Sequence, residues 1–146
     1  MADLVFNVMK GKHAYYASLP AADDSLIAVP IETTGIVGDS TMEDYDTLAL
    51  LLAGASNEQT TMGRKTLTNV TVTVNDTDNK VTVDADDIEW LAATGNDISA
   101  IVICYKPTVA SADTDILPMY KLDFVIQIDG TDLTATVSAS GLAEST

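Results

Sequence analysis

The chain has one cysteine, Cys104, one histidine, His13, and one arginine, Arg64. A lone cysteine rules out an internal disulfide, and one histidine with one cysteine falls short of the usual zinc ligand set. A hydrolytic triad would have to pair His13 with Cys104, yet Cys104 lies inside the apolar run 101–105 and reads as a small core residue, not as an exposed and activated thiol. Basic residues are scarce as well, 7 against 22 acidic ones. The resulting net charge of −15 disfavours nucleic acid and anionic membrane as partners through long-range repulsion. No run approaches the roughly 18 apolar residues that read as a membrane span. Aromatics make up only 5% and are dispersed, so Trp90 and the tyrosines read as core or interface anchors and not as a sugar-stacking platform. The first ten residues lack a basic region followed by an apolar one, so the expectation is synthesis in a cytoplasm without a secretory signal.

What the sequence does have is alternation. Leu122, Phe124, Ile126 and Ile128 share one parity and Leu133, Ala135 and Val137 the other, on either side of Asp129-Gly130. A two-residue turn there sets Ile126 opposite Leu133, Phe124 opposite Ala135 and Leu122 opposite Val137, all on one face. Val70, Val72 and Val74, then Val81 and Val83, predict a second hairpin around 75–80. Ile88 and Trp90 continue as a short strand. The uniformly apolar segment 101–105 predicts a central strand covered on both faces and ended by Pro107. Residues 1–32 read as short strands, with Leu4, Phe6 and Val8 on one parity, Ile27, Val29 and Ile31 on another, and Pro30 at a sheet edge or bulge. One helix is expected at 41–53, with Ser40 and Glu43 as a capping box, Gly54 as its stop, and Met42, Tyr45, Leu48, Ala49 and Leu52 as its packing stripe. The expectation is a mainly β chain of 146 residues. It would form one antiparallel β-sandwich domain, jelly-roll or immunoglobulin-like, of about eight short strands, with an N-terminal arm over 1–13 and a frayed end at 143–146.

Candidate sites are few. Asp76 and Asp78 in one loop and Asp84 and Asp86 after the next strand are oxygen-rich, but the spacing lacks the glycine and distal glutamate of an EF-hand, and Asp and Asn favour turns regardless. Arg64 is expected to pair with a carboxylate of the 84–87 cluster. Lys10, Lys12, His13 and Tyr15 form the one basic patch and are the candidates for a partner interface. Nothing assembles a nucleophile, a base and a stabiliser, so a non-enzymatic role is expected, and no cofactor is implied.

The segments from Glu58 to Arg64 and Val70 to Val74, Asp84-Ala85-Asp86-Asp87-Ile88-Glu89-Trp90, Ile101 to Lys106, Ile116 to Phe124 with Leu117-Pro118, and Asp129-Gly130-Thr131-Asp132-Leu133 through Gly141-Leu142 resemble small virion proteins of tailed double-stranded DNA phages, in pattern and order and without an invariant motif. That resemblance implies a structural protein of the particle, capsid decoration first. Such a cement protein binds the outside of the expanded shell, with the major capsid protein and copies of itself as partners, a trimer suiting threefold positions. Other readings are a tail, head-to-tail connector or fibre-associated component, and, from another class, a Ca²⁺- or carbohydrate-binding sandwich module. The acidic balance suits a shell exterior better than an interior filled with DNA.

Overall fold

Strand β7 (Ile98–Lys106) organises the molecule. Every residue from Ile98 to Tyr105 is buried, so the segment presents no face to water and must lie between two layers. The computed structural model, which describes residues 3–19, 23–54 and 56–145, places it in the middle of a five-stranded antiparallel sheet. Its neighbours are β8 (Leu117–Ile126) and β2 (Ser25–Glu32). Outside them pair β1 (Leu4–Val5) and β3 (Lys65–Thr66), giving the order β1-β8-β7-β2-β3. Pro107 follows β7 directly.

The two faces of this sheet carry separate cores. On one, Ile27, Val29 and Ile31 of β2 and Ala100, Val102 and Cys104 of β7 pack against Phe6, Ile116 and two short helices, α2 (Asp39–Met42) and α3 (Leu48–Ala53). On the other, Leu26, Ala28, Ile101 and Ile103 meet helix α1 (His13–Ser18) and two smaller sheets. One is β4 (Thr71–Asn75), β5 (Lys80–Asp84) and β10 (Ala143–Ser145) in the order β10-β5-β4. The other pairs β6 (Ile88–Trp90) with β9 (Leu133–Ala135). Of the described residues, strand accounts for 36% and helix for 14%, so the fold is mainly β.

Two irregularities let both cores fill. Leu117 and Met119 on β8 face the same core as Tyr120, Leu122 and Phe124, a parity change permitted by the register shift opposite Ile103 and Cys104. The shift between Ile98 and Ala100 does the same for Ile98 and Ile101. Pro30 pairs with Ile101 from within β2, and its carbonyl accepts from Gln59 N at 2.9 Å. In a strand the amide of a residue points to the same side as its carbonyl, so the missing N–H faces the 57–63 segment and not β7. A register shift follows at Ile31/Glu32.

The β4–β5 hairpin forms as the valine alternation predicts, with Val72 opposite Val83 and Val74 opposite Val81. The Asp129-Gly130 hairpin does not form. β8 pairs with β7 and β1, while β9 pairs with β6, setting Trp90 opposite Leu133 and Ile88 opposite Ala135. Asp129 Oδ1 accepts from Thr131 N and Oγ1, and Gly130 N and Thr131 O both bond to Ala93, so this turn is strapped to the 91–93 turn and carries the chain from one layer to the other. Parity identified the inward side chains correctly but cannot name the strand edge they meet.

The single helix expected at 41–53 is two helices broken at 43–47. Thr47 caps the second, its Oγ1 accepting from Leu50 N, and the first starts at Gly38 with no side-chain cap, so the Ser40/Glu43 box is not used. Met42, Leu48 and Leu51 are fully buried, and Tyr45 and Leu52 of the expected stripe pack against the same core half-buried, so the break adds Leu51 to the inward face. Gly54 ends α3 at negative φ, and a Cβ there would run into the Tyr45 hydroxyl, so close approach explains this glycine better than left-handed geometry does.

At the N-terminus Leu4–Val5 is an edge strand on β8, Phe6 is fully buried and 7–9 is a 3-10 turn, so residues 4–9 are built into the fold and do not extend as an arm. The C-terminal segment expected to fray instead pairs with β5 through Ala143–Ser145. Pro20, which punctuates the short strands read over 1–32, lies outside the described residues.

Candidate interaction surfaces

His13 opens α1 and is 7% exposed, with Nδ1 2.8 Å from the Tyr120 hydroxyl. Burial holds its pKa below the ordinary imidazole value and pushes the Tyr120 phenol up, so a neutral imidazole pins the helix to the sheet. It therefore faces the core, apart from the other residues of the basic patch. Cys104 is fully buried and its thiol is pushed up by burial, which removes the thiolate that a nucleophile requires. Lys12 and Tyr15 are exposed, Tyr15 at 63%. Lys10 lies 3.4 Å from Glu43 with both side chains well solvated, a pair of small energetic consequence.

Two cation clusters tie the layers together. Arg64 forks onto Glu58 (2.7 Å through both Nε and Nη2) and onto Asp113 (2.7 Å and 3.1 Å), and not onto the 84–87 carboxylates. The hydrogen bonds that Arg64 donates to Glu58 and then to Asp113 raise the guanidinium pKa, and Arg64 in turn holds the Asp113 carboxyl below its usual range. The pairing locks the 57–63 segment, itself bridged to β2 at Ile31, onto the 108–115 loop. Lys121 on β8 is fully buried, its Nζ 2.9 Å from Asp39 and 3.0 Å from Asp123. Burial pulls its pKa down, but the hydrogen bonds to Asp39 and Asp123 outweigh it and the net shift is upward. This second cluster was legible only in part. Lys121 and Asp123 share a face two residues apart, whereas Asp39 is distant in the chain.

The acidic loops do not converge. Asp76 and Asp78 stand exposed at the tip of the β4–β5 hairpin, where Asp78 accepts from Asn75. Asp84 and Asp86 lie at its base, where Asp84 accepts from Ala85 N and Asp86 from Thr68 and Asn69. Among the described residues no three His, Cys, Asp or Glu side chains gather as a metal site, and no helix is long and apolar enough to cross a membrane.

The feature sequence reading missed is a trench on the β1 flank, between the five-stranded sheet and the smaller sheets. Two clefts of about 200 Å³ each meet there, sharing Asp3, Leu122 and Leu142. Phe124 and Leu122 of β8 form one wall, Ala135, Val137 and Leu142 the other, and Ile101 lies at the floor. The second cleft runs under β1 to Ala143 and Glu144 of β10. Among the described residues β1 pairs with β8 at Tyr120 and Lys121, and beyond them Asp123 N bonds to the side chain of Asp3. No family model matches the chain, and neither the curated proteins nor the solved structures contain a match to it.

Proposed function

We propose that this chain is a non-enzymatic structural protein of a tailed-phage particle, a capsid decoration protein that binds the outer surface of the expanded shell and stabilises it by mass action, because whatever binds only the expanded state favours that state. On this reading its layers are those of a β-sandwich, its partners are the major capsid protein and copies of itself, and it is made in the host cytoplasm and resides on the virion exterior. The observation that carries the reading is where the chemistry sits. The single thiol and the single imidazole are buried, and among the described residues no buried side-chain nitrogen or oxygen lacks a hydrogen-bond partner. What faces solvent is acidic charge, isolated apolar side chains and an open trench. These are features of a surface that binds, and the acidity suits the side of a shell away from packaged DNA. The resemblance of 58–142 to small virion proteins points the same way.

The test is immunogold labelling of purified particles together with copy number from gel intensity. Dense label over the head at hundreds of copies supports decoration. Label at the neck or tail with a dozen copies or fewer replaces it with a connector or tail role, and unlabelled particles reject a virion role altogether.

A further inference from the structure

We propose that Lys121 and Asp39 close a covalent side-chain amide, from Nζ to Cγ, with Asp123 carrying the proton, so that strand β8 becomes bonded to the start of helix α2. The inference concerns a modification of the chain itself and is independent of the decoration reading.

Three observations carry it. First, the lysine is dry. Its side chain is fully buried, and its partners in register on either side, Leu4 of β1 and Val102 of β7, pack in the apolar core on that face. A buried ammonium is costly, and joining it to a carboxylate as a neutral amide removes that cost. Second, the amine meets two carboxylates at once, Asp39 at 2.9 Å and Asp123 at 3.0 Å. One serves as electrophile and the other as proton carrier. Third, all three groups are held. Lys121 and Asp123 stand two apart on one strand and share a face. The backbone N–H of Asp123 donates to Asp3, and the carbonyl of Asp39 accepts from Glu43 N in the turn of α2. Well-oriented groups reach effective concentrations of about 10⁵–10⁸ M, which favours a condensation that dilute amines and carboxylates in water do not undergo.

The step balances without an oxidant, reductant or co-reactant. The Lys121 ammonium passes one proton to Asp39 along their hydrogen bond, leaving a neutral amine and a carboxylic acid. The nitrogen lone pair attacks Cγ of Asp39 and the N–C bond forms. Asp123 takes a second proton from the nitrogen and hands it to the departing hydroxyl. The C–O bond breaks, one water leaves, and Asp123 is again a carboxylate. Before the bond forms, the three groups are the ion cluster described above, so the reaction draws on the small neutral fraction and is slow.

The experiment is intact-mass measurement on the purified full-length protein, fresh and after long incubation, followed by tryptic mapping. The expected wild-type mass lies one water below that of the sequence. Trypsin spares Lys106-Pro107 and an amidated Lys121, so the link appears as peptide 13–64 joined to peptide 81–146. Lys121→Met and Asp39→Ala keep full mass. Asp123→Asn, which preserves the shape and removes the base, forms the link at least tenfold more slowly. Wild-type protein that retains full mass after long incubation overturns the proposal, whether or not any variant folds. A water loss that survives Lys121→Met, or that maps within 81–146 alone, overturns it as well. An Asp123→Asn variant that links at the wild-type rate overturns the role of Asp123 as proton carrier.

Discussion

At the scale of single residues, the buried polar groups set the sharpest expectations. His13 has a depressed folded pKa, so its contribution to stability is complete above the unfolded value near 6.5 and is lost as pH falls from there through the folded value. The melting temperature of the wild type should therefore drop between pH 7 and 5, and His13→Phe should flatten that part of the profile. The variant should also lose about 1–3 kcal/mol at neutral pH through the stranded Tyr120 hydroxyl. An identical pH profile in both proteins would show that the imidazole does not report its burial. Lys121→Ala leaves Asp39 and Asp123 facing each other across a cavity. Because those carboxylates are 31% and 28% exposed, the loss in urea unfolding should be about 2–3 kcal/mol, below the roughly 3–5 kcal/mol of a fully buried broken pair. Lys121→Met should recover part of it, since the lysine stem occupies apolar surroundings. The burial of Cys104 was legible from its apolar neighbours. The burial of His13 was not, because the sequence placed it among lysines and only the fold turns α1 so that its ring meets Tyr120.

At the scale of elements, the short helices separate local signals from tertiary ones. Ser40 and Glu43 spell a capping box, yet the side-chain cap that forms is Thr47 on Leu50 N. Thr47→Ala should cost about 1 kcal/mol in chemical denaturation, as caps generally do, and Ser40→Ala should stay within about 0.5 kcal/mol. The reverse order would restore one continuous helix. The break arises because Ala49 N and Leu48 N bond to the carbonyls of Asp113 and Ile116, so the second helix is anchored by the 113–116 loop and not by continuation of the first. A helical stripe over 41–53 predicts which side chains turn inward without revealing such an anchor. The β4–β5 hairpin was readable because its register is local. The 122–137 alternation failed as a hairpin because both of its halves found better edges elsewhere, on β7 and on β6.

For the whole molecule, charge is the accessible variable. A net −15 implies self-repulsion that works against the compact state, and salt screens it over a Debye length of about 8–10 Å near physiological ionic strength. Raising NaCl from 20 to about 300 mM should therefore raise the melting temperature by several degrees. A fall would show that the Arg64 and Lys121 clusters outweigh the general repulsion. The central sheet should dominate stability. Ile103→Ala, in the strand buried on both faces, should cost about 2–5 kcal/mol, and Val74→Ala on the exposed hairpin well under 1 kcal/mol.

The sequence by itself determined the β class, the buried central strand at 101–105, the β4–β5 hairpin and the inward parity of 122–135, because these depend on parity, apolar runs and turn residues within a few positions of one another. Only the tertiary structure decided which edges pair, where Arg64 and Lys121 find their carboxylates, that the 41–53 helix breaks, and that a trench lies open beside β8. Each of these depends on groups far apart in the chain, such as Asp3 with Asp123, Arg64 with Asp113 and Lys121 with Asp39, and a local pattern carries no record of a neighbour supplied by folding.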